Sequence, residues 1–399
     1  MARVAVPRAA GLLVAGWFIL LSVGSYVIAP ASLLPIIMPS MGIGKSAGAA
    51  LVSLPQVSAT VLGLPLGMYL DRVKSRVAVL VAGVLIFVGG AWGWAAATDG
   101  AFLSLVASRL VGGIGVFILW VVGANVITSA FPESRRATAV AVLITGYPIG
   151  YAFGQLTAPL VADRLSWPAV FPVYATIGLA FALLFYLLQG RVALADVETE
   201  LALPGGTDFR RMFTDRNVLL VALLSFLGYS LYMLYNSWMP TYLTEAFGVS
   251  LADSGLFVAL FPAVGLLARP VGGWLSDGPL GRRRRPVFFV SFLGAVALAA
   301  LLAPVGTVPL FVVGLVVAGF FIQMQFGLLY QFVQEFAEPN VAGTAISLVS
   351  VTGWLGSFVA PVVVGELISV AGGYTVVFGF AVVVGLAGVV TTWVTVEAR

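Results

Sequence analysis

The chain contains neither cysteine nor histidine in 399 residues. Without cysteine there is no disulfide and no thiolate nucleophile. Without histidine there is no imidazole base, no haem axial histidine and no zinc site of the usual kinds. Enzymes that work inside membranes commonly draw on one of these groups, so the inventory argues against an enzyme, and no metal or cofactor is expected. Charge is also scarce: Asp, Glu, Lys and Arg make up 9% of the chain, against roughly a quarter in soluble domains. The net charge of +4 is therefore read by its distribution, and no nucleic-acid partner is expected.

What is present is apolar: 61% of residues are hydrophobic and the mean hydropathy is +1.08. Apolar runs fall near 9–38, 47–70, 77–97, 101–130, 137–162, 168–189, 217–246, 251–275, 286–305, 308–335, 341–368 and 374–395. Each is long enough to cross a bilayer as a helix. The fold class is an all-α polytopic membrane protein of twelve transmembrane helices, with the lipid bilayer as its surroundings. The first run follows Arg3 and Arg8; it is too long for a signal peptide and lacks a clear small-residue cleavage site, so it reads as a retained helix. One connection is longer and more polar than the rest, running from Arg191 to Arg216 through Pro204-Gly-Gly206 and Asp208-Phe-Arg-Arg211. It divides a six-helix bundle at 1–190 from a second at 217–399, with 191–216 as a cytoplasmic linker.

Placing the N-terminus inside puts nearly all Lys and Arg residues on the cytoplasmic side. Only Lys45 and Arg164 fall outside, and Arg109 and Arg269 lie within helices. The positive-inside rule selects this orientation, with both termini cytoplasmic and the cell membrane as the location. The halves also repeat. Gly67-Met-Tyr-Leu-Asp71-Arg72-Val-Lys74-Ser-Arg76 follows helix 2, and Gly273-Trp-Leu-Ser-Asp277, running on to Gly281-Arg-Arg-Arg-Arg285, follows helix 8. Thr145-Gly146 with Ala158-Pro159 in helix 5 is echoed by Thr352-Gly353 with Ala360-Pro361 in helix 11. Six helices per repeat is an even number, so the two bundles share an orientation and relate by a pseudo-twofold axis along the membrane normal, an arrangement suited to a central cavity.

An ionisable group at mid-membrane is costly and marks function by default. Arg269 lies about 12 Å from the Asp277 turn at about 1.5 Å per residue, near cavity level. Arg109 lies in helix 4, and no acid lies deep in any helix: Glu245, Glu335 and Glu366 are all near helix ends. A cavity with an unpaired cation and no carboxylate attracts anions. Helix 7 presents Tyr229, Tyr232 and Asn236 along one stripe. Gln323 and Tyr330 in helix 10, Tyr147 in helix 5, Tyr26 in helix 1 and Gln56 in helix 2 complete the candidate substrate-binding set. For any one of these taken singly, hydrogen bonding between helices is the commoner use of such a side chain.

Twelve helices in two sets of six, with Gly-x-x-x-Asp and trailing basic residues after helices 2 and 8, resemble the major facilitator superfamily along the whole chain. Arg109-Leu-Val-Gly-Gly113-Ile-Gly115 is similar to that superfamily's helix-4 signature. Lys74 and Tyr69 depart from its usual loop pattern. The resemblance implies that Gly67, Asp71, Arg72 and Arg76, and Gly273, Asp277 and Arg282, form a conformational latch, and that Arg109 is a packing or coupling element. Arg269 in Ala-Arg-Pro resembles the helix-8 arginine of nitrate/nitrite porters, oxalate exchangers and monocarboxylate carriers. The second arginine that nitrate porters carry in helix 2 corresponds here to Gly63, and oxalate exchangers' helix-11 lysine has no counterpart. One clamp in place of two implies a small anion, with a monocarboxylate preferred, carried by alternating access in a monomer, with a proton as the candidate coupling ion. Tyr147-Pro148 stands where antiporters of the superfamily carry Gly-Pro, which gives antiport no support. The alternative is efflux of a hydrophobic or cationic compound, against which the missing mid-membrane carboxylate counts.

Overall fold

A computed structural model describes residues 6–70, 73–190, 192, 214–337 and 342–397. Among them there is no strand, and twelve helices have the length and apolarity to cross a membrane. A helix meets the bilayer's demand that every backbone polar group be paired within its own segment. The spans are α1 (Ala9–Met41), α2 (Lys45–Leu70), α3 (Ser75–Thr98), α4 (Phe102–Ala130), α5 (Ser134–Arg164), α6 (Trp167–Gln189), α7 (Arg216–Phe247), α8 (Leu251–Asp277), α9 (Arg285–Leu302), α10 (Val308–Gln334), α11 (Thr344–Ala371) and α12 (Thr375–Val394). Asp71 and Arg72 of the first acidic turn, and nearly all of the 191–216 connection, lie outside the described residues.

Helix ends follow local chemistry. The first span runs on to Met41, past the expected end, by passing through a 3-10 turn at Ala29–Leu33. It stops where Gly42 takes φ +62°, a left-handed conformation that glycine adopts without strain. Span α9 stops at Leu302, short of the expected 305, because Pro304 has no N–H with which to continue the helical ladder.

The described residues fall into two compact units. One holds residues up to 43 and 51–192; the other holds Gly44–Ala50 and residues from 214 onward. The same joints occur in each. In the first unit, Trp17 Nε1 donates to Thr145 Oγ1 at 2.9 Å and Ser25 Oγ to the Gly150 carbonyl at 2.9 Å, tying α1 to α5. In the second, Thr352 Oγ1 donates to the Ala222 carbonyl at 3.0 Å and Ser225 Oγ to the Val349 carbonyl at 2.7 Å, tying α7 to α11. Glycine makes this proximity possible: a Cβ on Gly146 would stand 2.5 Å from the Trp17 carbonyl oxygen, and one on Gly353 would stand 2.6 Å from the Tyr229 ring. An arginine in the first turn of the third helix of each unit also holds the last carbonyls of the sixth. Arg76 Nε donates to Tyr186 O at 3.0 Å, and Arg285 Nε to Thr392 O at 2.9 Å.

Candidate functional site

The second unit builds a cluster around Arg269. Span α8 breaks at Val264 between two helices, Leu251–Ala263 and Gly265–Asp277, and Arg269 sits half-buried in the second. Its Nη2 reaches Gln323 Oε1 on α10 at a long 3.4 Å. Gln323 is fully buried and is fixed by its own Nε2 donating to the Phe261 carbonyl at 2.7 Å. Gly265 is required here, because a Cβ on it would collide with Gln323 Oε1.

Opposite the guanidinium, α10 leaves α-geometry for a 3-10 turn at Gln325–Gly327. A Cβ on Gly327 would stand 2.9 Å from the Arg269 carbonyl oxygen, so glycine lets this turn lie against α8. The turn presents the Phe326 ring 5.4 Å from the Arg269 Cζ. Tyr229 stacks on that ring at 4.4 Å, and Tyr232 meets it edge-on at 5.6 Å. Asn236, one turn along from Tyr232, donates to the Tyr232 carbonyl at 2.8 Å. Tyr330 faces elsewhere and accepts from Ser350 Oγ on α11 at 3.4 Å. Among the described residues no acid pairs with Arg269, and its buried Nε has no hydrogen-bond partner. A guanidinium carries five donors, and a desolvated cation short of partners favours the arrival of an anion.

The first unit holds the other membrane arginine in a different state. Arg109 is wholly buried. Its Nη1 donates to Tyr26 O at 2.9 Å, Nη2 to Val27 O at 2.8 Å and Nε to Leu51 O at 3.2 Å. Two prolines account for these carbonyls. Pro30 has no N–H for Tyr26 O in α register or for Val27 O in 3-10 register, and Pro55 has none for Leu51 O. Arg109 supplies the missing donors. The glycines that follow it admit its neighbours: a Cβ on Gly113 would stand 2.7 Å from Pro55 Cα, and one on Gly112 would strike the Tyr26 hydroxyl. The helix-4 signature is thus a seat for two proline-interrupted helices. Beside it runs a hydrogen-bonded chain, with Gln56 Nε2 3.2 Å from the Tyr151 hydroxyl and that hydroxyl 3.3 Å from the Tyr147 hydroxyl. Trp120 packs edge-on against Tyr147 at 5.3 Å.

At the basic end of the second unit, Asp277 takes Arg284 as its partner, not Arg282. The turn explains the choice. Gly281 and Arg282 both have positive φ, +61° and +65°, which leaves the Arg282 side chain exposed and turns Arg284 back toward the acid. Arg284 also donates to Ser276 Oγ at 2.8 Å and to Glu335 Oε1 at 3.0 Å. Burial acts to lower the Arg284 pKa, but hydrogen bonds and charge from Asp277 and Glu335 outweigh it and hold the group above its ordinary value. In the first unit, Arg76 lies against the Tyr186 ring at 4.1 Å as well as its carbonyl. A further charged cluster belongs to the second unit: Lys45 Nζ and the Tyr374 hydroxyl each donate to Glu245 Oε2 at 2.8 Å. Burial, then the hydrogen bond and charge of Glu245, push the Tyr374 pKa up.

Sequence reasoning missed Phe326, the ring on which the Arg269 cluster converges. The only signal for it was the run Gln323-Met-Gln-Phe-Gly327, where glycine follows a polar–aromatic stretch in mid-span. It also singled out Arg282 for the latch, where the structure pairs Asp277 with Arg284.

Comparison with known proteins bears on this arrangement. The chain is 26% identical over 371 residues to the "Nitrite extrusion protein" of Bacillus subtilis (strain 168), covering 92% of this chain and 90% of that one. It is 24% identical over 367 residues to the "Probable nitrate transporter NarT" of Staphylococcus carnosus (strain TM300), with the same coverage, 92% and 90%. Among solved structures it resembles a D-xylose-proton symporter, with a TM-score of 0.77 at 16% identity over 98% of both chains. It also resembles a bacterial homologue of the human lysosomal transporter Spinster, with a TM-score of 0.76 at 16% identity over 98% of this chain and 96% of that one. The sequence profile of the Major Facilitator Superfamily matches residues 12–361. This multi-pass membrane protein therefore belongs to the Major Facilitator Superfamily, a transporter and not an enzyme.

Proposed function

We propose that the protein transports a small monoanion by alternating access and that Arg269 holds the anion. One observation carries the reading: a half-buried guanidinium with a buried, unpartnered Nε, no acid beside it among the described residues, and an aromatic wall of Phe326, Tyr229 and Tyr232. A planar fork of donors suits a planar oxyanion that offers two oxygens side by side. Nitrate, nitrite and a simple carboxylate all meet that description. The names of the relatives favour the nitrogen oxyanions. The single cation and apolar wall favour a monocarboxylate as the second reading.

The anion is accompanied by a proton or moves alone. Asp277, Arg284 and Glu335 serve as a charge latch at the cytoplasmic end of the C-terminal bundle (217–399). Asp71, Arg72 and Arg76 do so for the N-terminal bundle (1–190), and both termini lie in the cytoplasm. Uptake into proteoliposomes of labelled nitrate, nitrite, formate, lactate and oxalate and of a cationic dye, with and without a pH gradient, tests the reading. Saturable uptake of one monoanion, lost in Arg269→Ala, is the expected result. Movement of the dye alone, indifferent to Arg269, would make the protein an exporter and Arg269 a structural residue.

A further inference from the structure

A groove of about 520 Å³ opens at the N-terminal end of α9, lined by Arg283, Arg285, Pro286, Phe289, Val290 and Glu397. The charges around it are unequally committed. Both oxygens of Glu397 are occupied by backbone donors, Arg284 N at 3.1 Å and Arg285 N at 2.8 Å. Arg285 spends Nε and Nη2 on the last carbonyls of α12, Thr392 O and Trp393 O, which leaves one terminal nitrogen toward the groove. Arg284 is turned away to Asp277 and Glu335. Arg283 is exposed; its backbone is held by Ser276 Oγ and Leu280 O, but its guanidinium has no hydrogen bond or ion pair among the described residues.

The other wall of the groove is apolar. Phe289 is 36% exposed, Val290 45% and Leu293, one turn on, 48%, all on a membrane-spanning helix. Trp393, beside the Arg285 anchor, is 67% exposed, in keeping with an aromatic at the water–hydrocarbon boundary. One face of the groove thus offers unneutralised guanidinium donors and the other offers a lipid-facing apolar strip directly below them.

We propose that this groove binds the headgroup phosphate of an anionic phospholipid, with the acyl chain lying along Phe289 and Val290. Charge complementarity selects the lipid class. Two guanidiniums, Arg283 and Arg285, face the one carboxylate of Glu397, which is already held by two backbone amides, so the groove carries a net positive charge and Arg283 and the free nitrogen of Arg285 have room for phosphate oxygens.

The test is native mass spectrometry of the purified full-length protein, delipidated and titrated with phosphatidylglycerol, phosphatidylethanolamine or phosphatidylcholine. The wild type is expected to retain one phosphatidylglycerol in preference to the two zwitterionic lipids. Arg283→Gln is expected to weaken that adduct about fivefold, the scale of one interfacial basic residue. Arg135→Gln, which removes an exposed arginine of the other unit, is expected to leave it unchanged. Phe289→Ser is expected to weaken the adduct while sparing the preference for phosphatidylglycerol. Equal loss in Arg135→Gln, or equal retention of phosphatidylcholine, would reduce the effect to bulk charge or ordinary annular lipid and overturn the proposal. Displacement of the lipid by inorganic phosphate at matched concentration would overturn it in favour of a free-anion site.

Discussion

The two arginines inside the membrane differ in how their donors are spent, and that difference separates a satisfied cation from one open to a ligand. Arg109 gives three hydrogen bonds at 2.8–3.2 Å to the carbonyls that Pro30 and Pro55 leave without a helical partner. It also lies over the Tyr26 ring at 4.6 Å. It needs no ligand to be stable. Arg269 has one long bond, an aromatic face and a buried nitrogen with nothing to donate to. A buried cation invites a ligand only to the extent that the protein's own acceptors fail to satisfy it, so under the proposed function burial alone would rank the two in the wrong order.

The largest expected effect sets the arginines against each other on stability. Arg109→Met should strand three buried carbonyls and lower stability by about 2–4 kcal/mol. The loss would be read as a fall in thermal midpoint in detergent and a smaller yield of monodisperse protein. Arg269→Ala should leave the midpoint nearly unchanged, because few contacts are lost, and should abolish any midpoint rise that the transported anion gives the wild type. Equal destabilisation by both substitutions would erase the distinction. A second prediction sharpens the Arg269 side. Gly265→Ala should weaken anion binding about tenfold, since the new Cβ takes the place of Gln323 Oε1 and releases the one side chain that holds the guanidinium. Its stability should fall only modestly, because the about 1 kcal/mol of helix propensity that alanine gains over glycine offsets much of the loss of the Gln323–Phe261 hydrogen bond. Unchanged affinity would show that Gln323 does not position Arg269.

The twelve spans, and the place of Arg269 two turns before Asp277 on one helix, were legible because each depends on local composition: long apolar runs, and one cation a fixed rise from a charged turn. What was not legible depends on how elements meet. Phe326 reaches Arg269 only because α10 breaks at Gln325–Gly327 where Gly327 allows the approach of α8. Arg284 takes Asp277 only because a left-handed turn at Gly281-Arg282 reverses the chain. Tyr330 shares α10 with Gln323, yet it lies past the break and bonds Ser350 instead. Arg109 is an intermediate case. The positions of Pro30 and Pro55 announce carbonyls in need of donors, but the residue that reaches them is decided by the packing of α4.

A smaller effect probes the aromatic wall. Phe326→Leu removes the ring near the guanidinium and the platform for Tyr229, and should weaken anion affinity about fivefold with little change in fold. Binding measured by thermal shift or by uptake half-saturation would report it. No change in either would leave Arg269 and Gln323 to bind the anion without the ring.

The smallest effect tests the account of Arg109 most closely. If Arg109 Nε stands in for the N–H that Pro55 lacks, then Pro55→Ala creates a competing donor for the Leu51 carbonyl. In the wild type that carbonyl is already paired at 3.2 Å, so the substitution should gain almost nothing. In an Arg109→Met background the same carbonyl is stranded, and the new backbone N–H should recover about 0.6–1 kcal/mol. The two substitutions would then be non-additive by that amount in a double-mutant cycle of thermal or denaturant stability. Strict additivity would mean that Leu51 O finds another partner once Arg109 is gone. The match between two prolines and one arginine would then be a coincidence of packing and not the reason for Arg109.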